Sequence, residues 1–292
     1  MKKLACQILF VAINILFVTF NLSAQSPDTP VKFRLVRGFL IIVPVQINNT
    51  ETLEFLLDTG TNTSVIIPEV ATRLKLRPVD RIEMVTVAGS VIAPRSFLPR
   101  LTLGGKSAEN TEVLWSDLPE LHRLDSRISG VLGQSFLAQF NFTLDFRERR
   151  INFADVDENQ FKQAVRVTFE INEGQILLTL KTKQTNLKFV LDSGVSGLIL
   201  FASGCQKLAK QIEPSEQMMQ VSTNAGKSLA QTGWLDKLQV GDKSLSRLPV
   251  VLLGELERTE DGLLPMRLFR SVYFNNQEGY MILNPYNSSN NL

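Results

Sequence analysis

Two short runs hold the residues best able to do chemistry, Asp58-Thr59-Gly60-Thr61 and Asp192-Ser193-Gly194. Each follows an apolar run, Phe55-Leu56-Leu57 or Phe189-Val190-Leu191, and each leads into another. For one isolated copy two readings stand: an Asx-turn in which the aspartate caps the following backbone, or an acid delivered to a site. Two copies at matching places in one chain favour the site. Two carboxylates at contact distance cannot both ionise cheaply, so they share a proton and titrate in two coupled steps. One charged and one neutral carboxyl can hold a water between them. The charged one removes a proton as the water attacks an amide carbonyl, and the neutral one donates to the developing oxyanion. This chemistry calls for no metal and no cofactor. Gly60 and Gly194 allow the two loops to approach closely. Thr59 and Ser193 can hydrogen-bond across the axis between them and stiffen the pair.

The elements around these loops repeat. Residues 31–35, 39–47 and 53–57 read as strands, with turns at Arg37-Gly38 and Asn48-Asn49-Thr50. Residues 65–67 read as a strand and 69–74 as a short helix entered at Pro68. A hairpin tip falls at Ala88-Gly89-Ser90. Gly130-Val131-Leu132-Gly133 leads into a short helix over 134–140, and strands at 142–146 and 151–153 flank a charged hairpin. Asp58 and Asp192 are 134 residues apart. The turn at Gly104-Gly105 returns at Gly241-Asp242 and the hairpin tip at Gly89 returns at Gly226, both shifted by 137. Gly130-Val131-Leu132 returns as Gly262-Leu263-Leu264 after 132, and Glu148 as Glu278 after 130. Such drift is what loop insertions produce, so the chain reads as two homologous lobes. The expected division is a leader at 1–24, one lobe at 25–158 and a second at 159–292, with strands dominating both.

The remaining residues narrow the chemistry. His122 is the only histidine, which excludes a histidine-rich zinc site, and its polar setting suggests a surface position. Of the two cysteines, Cys6 lies in the leader, and Cys205 reads as a small packed residue rather than a nucleophile. Trp115 and Trp234 are expected in the core or the cleft wall. The Asn-X-Ser/Thr triplets, including Asn62-Thr63-Ser64, read as chance polar runs. Lys2 and Lys3, an apolar run over 4–20 and Leu22-Ser23-Ala24 resemble an export signal cleaved before Gln25. An uncleaved membrane anchor is the other reading of that run. Cleavage takes Lys+Arg from 31 to 29 against 29 Asp+Glu, which gives no electrostatic case for nucleic acid as a partner. A hydrophobic content of 44% with 21% charged residues is that of a globular chain.

At 55–67 and 190–200 the chain resembles the active-site loops of retropepsin-type aspartic proteases, and Gly130-Val131-Leu132-Gly133 resembles the element that braces such a loop. The tandem arrangement is similar to pepsin, although each half is short, as in retropepsins. The resemblance implies an all-β fold of two retropepsin-like β-barrel lobes with short helices, related by a pseudo-two-fold. It implies Asp58 and Asp192 as the catalytic dyad, supported by Thr59, Gly60, Thr61, Ser193 and Gly194. It also implies flaps at Ala88, Gly89, Ala225 and Gly226 that close over an extended peptide. The expected activity is peptide hydrolysis by an exported protein, periplasmic or extracellular and bacterial, without stable membrane contact once the leader is removed. Two departures stand out. Val195 takes the place that Thr61 holds in the first loop, and Pro265 takes the place of Gly133, removing an N–H and fixing φ. They keep open a peptide-binding module of weak or absent activity. An envelope structural protein, in which both aspartate loops are only turns, is a third reading.

Overall fold

The computed structural model describes residues 29–285, apart from 87–88, 155, 158–160, 162–163, 173, 182–184 and 224–225. The leader, Cys6, the flap residues Ala88 and Ala225 and the expected lobe boundary at 158–159 lie outside the described residues.

In the first lobe the strand Glu51–Leu57, which leads to Asp58, lies between Leu40–Ile47 and Ile128–Leu132. The sheet continues through Ser64–Ile66 and Lys106–Trp115 to Gly89–Leu103. Gly89–Leu103 then pairs back onto Leu40–Ile47 at Gln46↔Thr102 and Ile47↔Leu101, closing six strands into a barrel. Both tight turns before it use left-handed backbone: Arg37 and Gly38 at φ 55° and 79°, Asn48 and Asn49 at 50° and 57°. These values match the primed turns that suit hairpin twist.

The second lobe repeats the first in register. Phe55↔Gly130, Leu56↔Val131 and Leu57↔Leu132 pair in parallel, as do Phe189↔Gly262, Val190↔Leu263 and Leu191↔Leu264. In each lobe this central strand is flanked on its other side by an antiparallel neighbour, Ser64–Ile66 or Leu198–Phe201. That crowding explains the glycine at its start. A Cβ on Gly130 would collide with the Val65 carbonyl, and one on Gly262 with the Ile199 carbonyl, which is the equivalent atom. Each lobe also extends a long hairpin, Asp80–Thr86 with Gly89–Leu103 and Ile212–Thr223 with Gly226–Val240.

The lobes share one sheet. Its order is Val31–Lys32, Arg150–Asn152, Phe142–Asp145, Phe269–Asn275, Tyr280–Pro285 and Val165–Asn172. The lobes meet where Phe142 pairs with Phe274, and the two rings stack at 4.4 Å. Alternate residues of Phe142–Asp145, and most of Phe269–Asn275, are buried, so this junction is part of the main core rather than a loose linker.

Two helices escape a periodicity reading because each spans under two turns: Pro119–Leu124 and Ala202–Leu208. The second is pinned by Lys207, whose Nζ lies 2.8 Å from both Asp261 carboxylate oxygens. Asp261 is buried and also accepts from the Lys188 N–H at 2.7 Å. The pair therefore joins the helix to the strand that ends at Asp192. Cys205 lies on this helix, half-buried, with its thiol pushed up by burial, which is the wrong direction for a nucleophile.

Candidate active site

Asp58 immediately follows the buried end of its strand, and Asp192 is the last residue of its own. The two loops then meet across the pseudo-two-fold. The Thr59 hydroxyl donates to the Leu191 carbonyl at 2.7 Å and accepts from the Ser193 N–H at 3.1 Å. The Ser193 hydroxyl donates to the Leu57 carbonyl at 2.8 Å and accepts from the Thr59 N–H at 3.1 Å. Four reciprocal bonds between residues that are all but fully buried fix one loop against the other.

This clamp sets the carboxyl groups side by side. Their closeness is visible in the glycines. A Cβ on Gly60 would lie 2.6 Å from Asp192 Cγ, and one on Gly194 would lie 3.0 Å from Asp58 Oδ2. The expected close approach of the loops thus holds, and the glycines are required because each backbone runs against the opposite acid.

The two acids differ in support. Asp58 accepts from the Gly60 N–H at 2.9 Å on one oxygen and from the Thr61 hydroxyl at 2.8 Å on the other. Asp192 accepts from the Gly194 N–H at 2.6 Å. Val195 offers it nothing and packs instead into an apolar cluster with Ile199 and Leu253. Burial raises both carboxyls above their ordinary range. Thr61 and Gly60 partly offset this at Asp58, whereas the neighbouring Asp58 charge pushes Asp192 further, well above the usual value. The extra donors on Asp58 favour its charged form over that of Asp192.

Gln134, Ser64 and Ser135, which sequence reasoning did not single out, join the expected Gly133 element in bracing the first loop. Gln134 Nε2 donates to the Thr59 carbonyl at 2.8 Å and its backbone N–H to the Thr61 carbonyl at 2.9 Å. The Gly133 N–H donates to the Ser64 hydroxyl at 3.0 Å, which also accepts from the Ser135 hydroxyl at 2.9 Å. In the second lobe the register places Leu198 where Ser64 stands, and Pro265 where Gly133 stands. Donor and acceptor are thus both absent, and no polar group is left unpaired by the exchange. Pro265 takes an ordinary extended backbone, φ −69° and ψ 128°, and accommodates its place beside Asp192. A cavity of about 80 Å³ lined by Leu198, Pro249, Pro265 and Leu268 lies where the polar brace would be. Arg267 reaches across it to the Ser196 carbonyl at 3.3 Å.

Gly89 and Gly226 start the return strands of the two long hairpins, opposite Thr86 and Thr223. Of the other lone residues, His122 departs from expectation. His122 is half-buried rather than on the surface, with Nε2 2.8 Å from the Ile128 carbonyl. Trp234 is 40% exposed with the Arg247 guanidinium 5.3 Å over its ring, whereas Trp115 packs against the core. Asn62 is half-buried, with its Cβ 3.5 Å from the position a Cβ on Gly174 would take in the opposite lobe, which leaves little room for a glycan. Among the described residues no group of three or more His, Cys, Asp or Glu is placed to hold a metal.

Compared with known proteins, the chain aligns in structure with basic 7S globulin from soybean at 13% identity and a TM-score of 0.50, covering 90% of this chain and 96% of that one. That likeness concerns the fold. By sequence the chain matches no curated protein. A family described as aspartyl protease matches it twice, over residues 43–136 and 168–268, one match in each lobe and each containing one of the two acids. The chain belongs to the aspartyl protease family.

Proposed function

We propose that this protein is an exported aspartic endopeptidase that cleaves extended peptides with the Asp58–Asp192 pair. The observation that carries the reading is the pair itself: a buried Asp192 and a half-buried Asp58 set side by side by reciprocal bonds, with more donors on Asp58 than on Asp192. Asp58 as carboxylate takes a proton from a water held between the acids. The hydroxide so formed bonds to the amide carbon. Asp192 passes its proton to the carbonyl oxygen, giving a neutral tetrahedral diol. Collapse breaks the C–N bond. The proton that Asp58 gained goes to the departing nitrogen, and a diol proton returns to Asp192, so the pair ends with the one proton it began with. The two flap hairpins offer backbone for pairing with an extended chain.

The reading is tested by kcat/KM on an unstructured peptide as a function of pH. A pair sharing one proton gives a bell, with both limbs raised above the ordinary carboxylate range by burial. Val195→Thr restores in the second loop the hydroxyl that Thr61 supplies in the first. It should favour ionised Asp192 and move the alkaline limb to lower pH, leaving the acid limb in place. An alkaline limb that does not move would disconnect Asp192 from the rate.

Export rests on the leader. Cell fractionation with N-terminal sequencing should find the protein outside the cytoplasm, starting at Gln25. A cytoplasmic protein that retains Met1 would contradict it. Val195 and the apolar brace of the second lobe favour one alternative, a module that binds peptides without cutting them. Peptides bound and recovered intact from acid to neutral pH would select it.

A further inference from the structure

The flap hairpins do not stand free of the opposite lobe. Arg258 Nη2 donates to the Thr86 carbonyl at 2.9 Å, across 172 residues of chain. Thr86 ends the outgoing strand of the first flap, directly opposite Gly89. On the other side, Lys227 Nζ lies 3.5 Å from Glu120. Lys227 is the second residue of the returning strand of the second flap, opposite Ser222. Each contact thus sits at a flap tip and joins it to the other lobe.

The partners are related in the same way as the acids. Glu120 lies in the Pro119–Leu124 helix, which follows the strand Lys106–Trp115. Arg258 lies in the segment that follows Lys243–Leu253. Those two strands are equivalent by register, pairing with Ser64–Ile66 and Leu198–Phe201. We propose that Arg258 and the Glu120–Lys227 pair are positioning residues that latch each flap, through its tip, to the opposite lobe. The role of the latches in substrate capture rests on the peptidase reading above; their existence does not.

The latches are unequal. The Arg258 bond is a charged donor on a half-buried carbonyl. In the Glu120–Lys227 pair the lysine is exposed, at 45%, the glutamate is half-buried, at 26%, and Glu120 is shared with Arg123. Exposed ion pairs contribute little and are screened by salt. The second flap is therefore the one that lifts to admit a chain, while the first stays docked.

Spin labels test this without any turnover. With Cys6 and Cys205 replaced by serine, one pair of labels at Ser90 and Glu255 reports the first flap, and another at Leu229 and Ser126 reports the second. All four sites are exposed. At low salt both pairs should give narrow distance distributions. Arg258→Met should broaden the first toward longer distances and leave the second alone, and Arg258→Lys should keep it narrow. Lys227→Gln, or 1 M KCl without any substitution, should broaden the second only. Dissociation of a bound reduced-amide peptide should speed up about ten-fold in Arg258→Met. Thermal unfolding checks each variant, and the salt series needs none. An unchanged first distribution in Arg258→Met, or a second one indifferent to both Lys227→Gln and salt, would overturn the proposal. Absence of peptide cleavage by the unsubstituted chain would count against the peptidase reading alone.

Discussion

Asp58→Asn and Asp192→Asn should each reduce peptide hydrolysis by about 10³-fold or more while the fold persists, since each removes one of the two proton-transfer roles. The same substitutions should not be equivalent in stability. A carboxyl whose folded pKa lies above its unfolded value binds an extra proton in the folded state, so its stability contribution is lost as pH rises from the unfolded value toward the folded one. Asp192 is the more strongly raised of the two, by burial and then by the Asp58 charge. Replacing it with the neutral amide removes that cost at neutral pH. Asp192→Asn should raise the unfolding temperature at pH 7 by about 2–4 °C, and the gain should disappear near pH ~3, where the carboxyl is protonated in both states. Asp58→Asn should gain less, because it also gives up the charge-assisted bonds from Gly60 and Thr61. Thermal melts at the two pH values, run beside the peptide assay, check both parts. A loss of activity accompanied by a lower melting temperature for Asp192→Asn would point to damage rather than to chemistry.

Thr59→Val is expected to have the second largest effect. It keeps the volume of a residue that is 1% exposed and deletes a hydroxyl with two cross-lobe bonds. The Leu191 carbonyl and the Ser193 N–H are then buried without partners, at a cost of about 2–4 kcal/mol for the two together. The consequence should exceed stability, since the clamp also fixes the separation of the acids. A misplacement of about 1 Å at a reacting centre costs about 10²-fold in rate. Denaturant melts and kcat should both fall, with KM changing less. A variant with full kcat and only reduced stability would show that the clamp holds the lobes together but does not set the geometry of the site.

Much of this site was legible in the sequence because the repeat is local and the strands are short. The offsets of 134 and 132 residues that align Asp58 with Asp192 and Gly130 with Gly262 return in the ladder as identical pairings, Phe55↔Gly130 and Phe189↔Gly262. The places of the two long hairpins were readable from Gly89 and Gly226 for the same reason. What escaped depends on contacts between residues far apart whose types carry no local signal. Gln134 supports the Thr59 carbonyl from 75 residues away, and Arg258 reaches Thr86 from 172. Asp261 looks like a surface acid in its charged stretch and is 1% exposed. Pro265 drew attention as a lost N–H, and only the register shows that Leu198 removes the matching acceptor. A signal was available for the Pro119–Leu124 helix, since proline at its first position followed by Glu120 is a start pattern. Alternation in the long hairpins gives no hint that Thr86 and Lys227 touch the opposite lobe.

The central claim is that Asp58 and Asp192 titrate as one unit. Carbon-13 NMR of the labelled aspartate carboxyls, followed from pH 2 to 9, measures this without substrate. The expected result is two coupled steps, with the upper one above the ordinary carboxylate range. In Asp58→Asn, Asp192 should titrate in a single step shifted to lower pH, because the neighbouring charge is gone. Two independent titrations at ordinary values, each indifferent to substitution of the other residue, would contradict it.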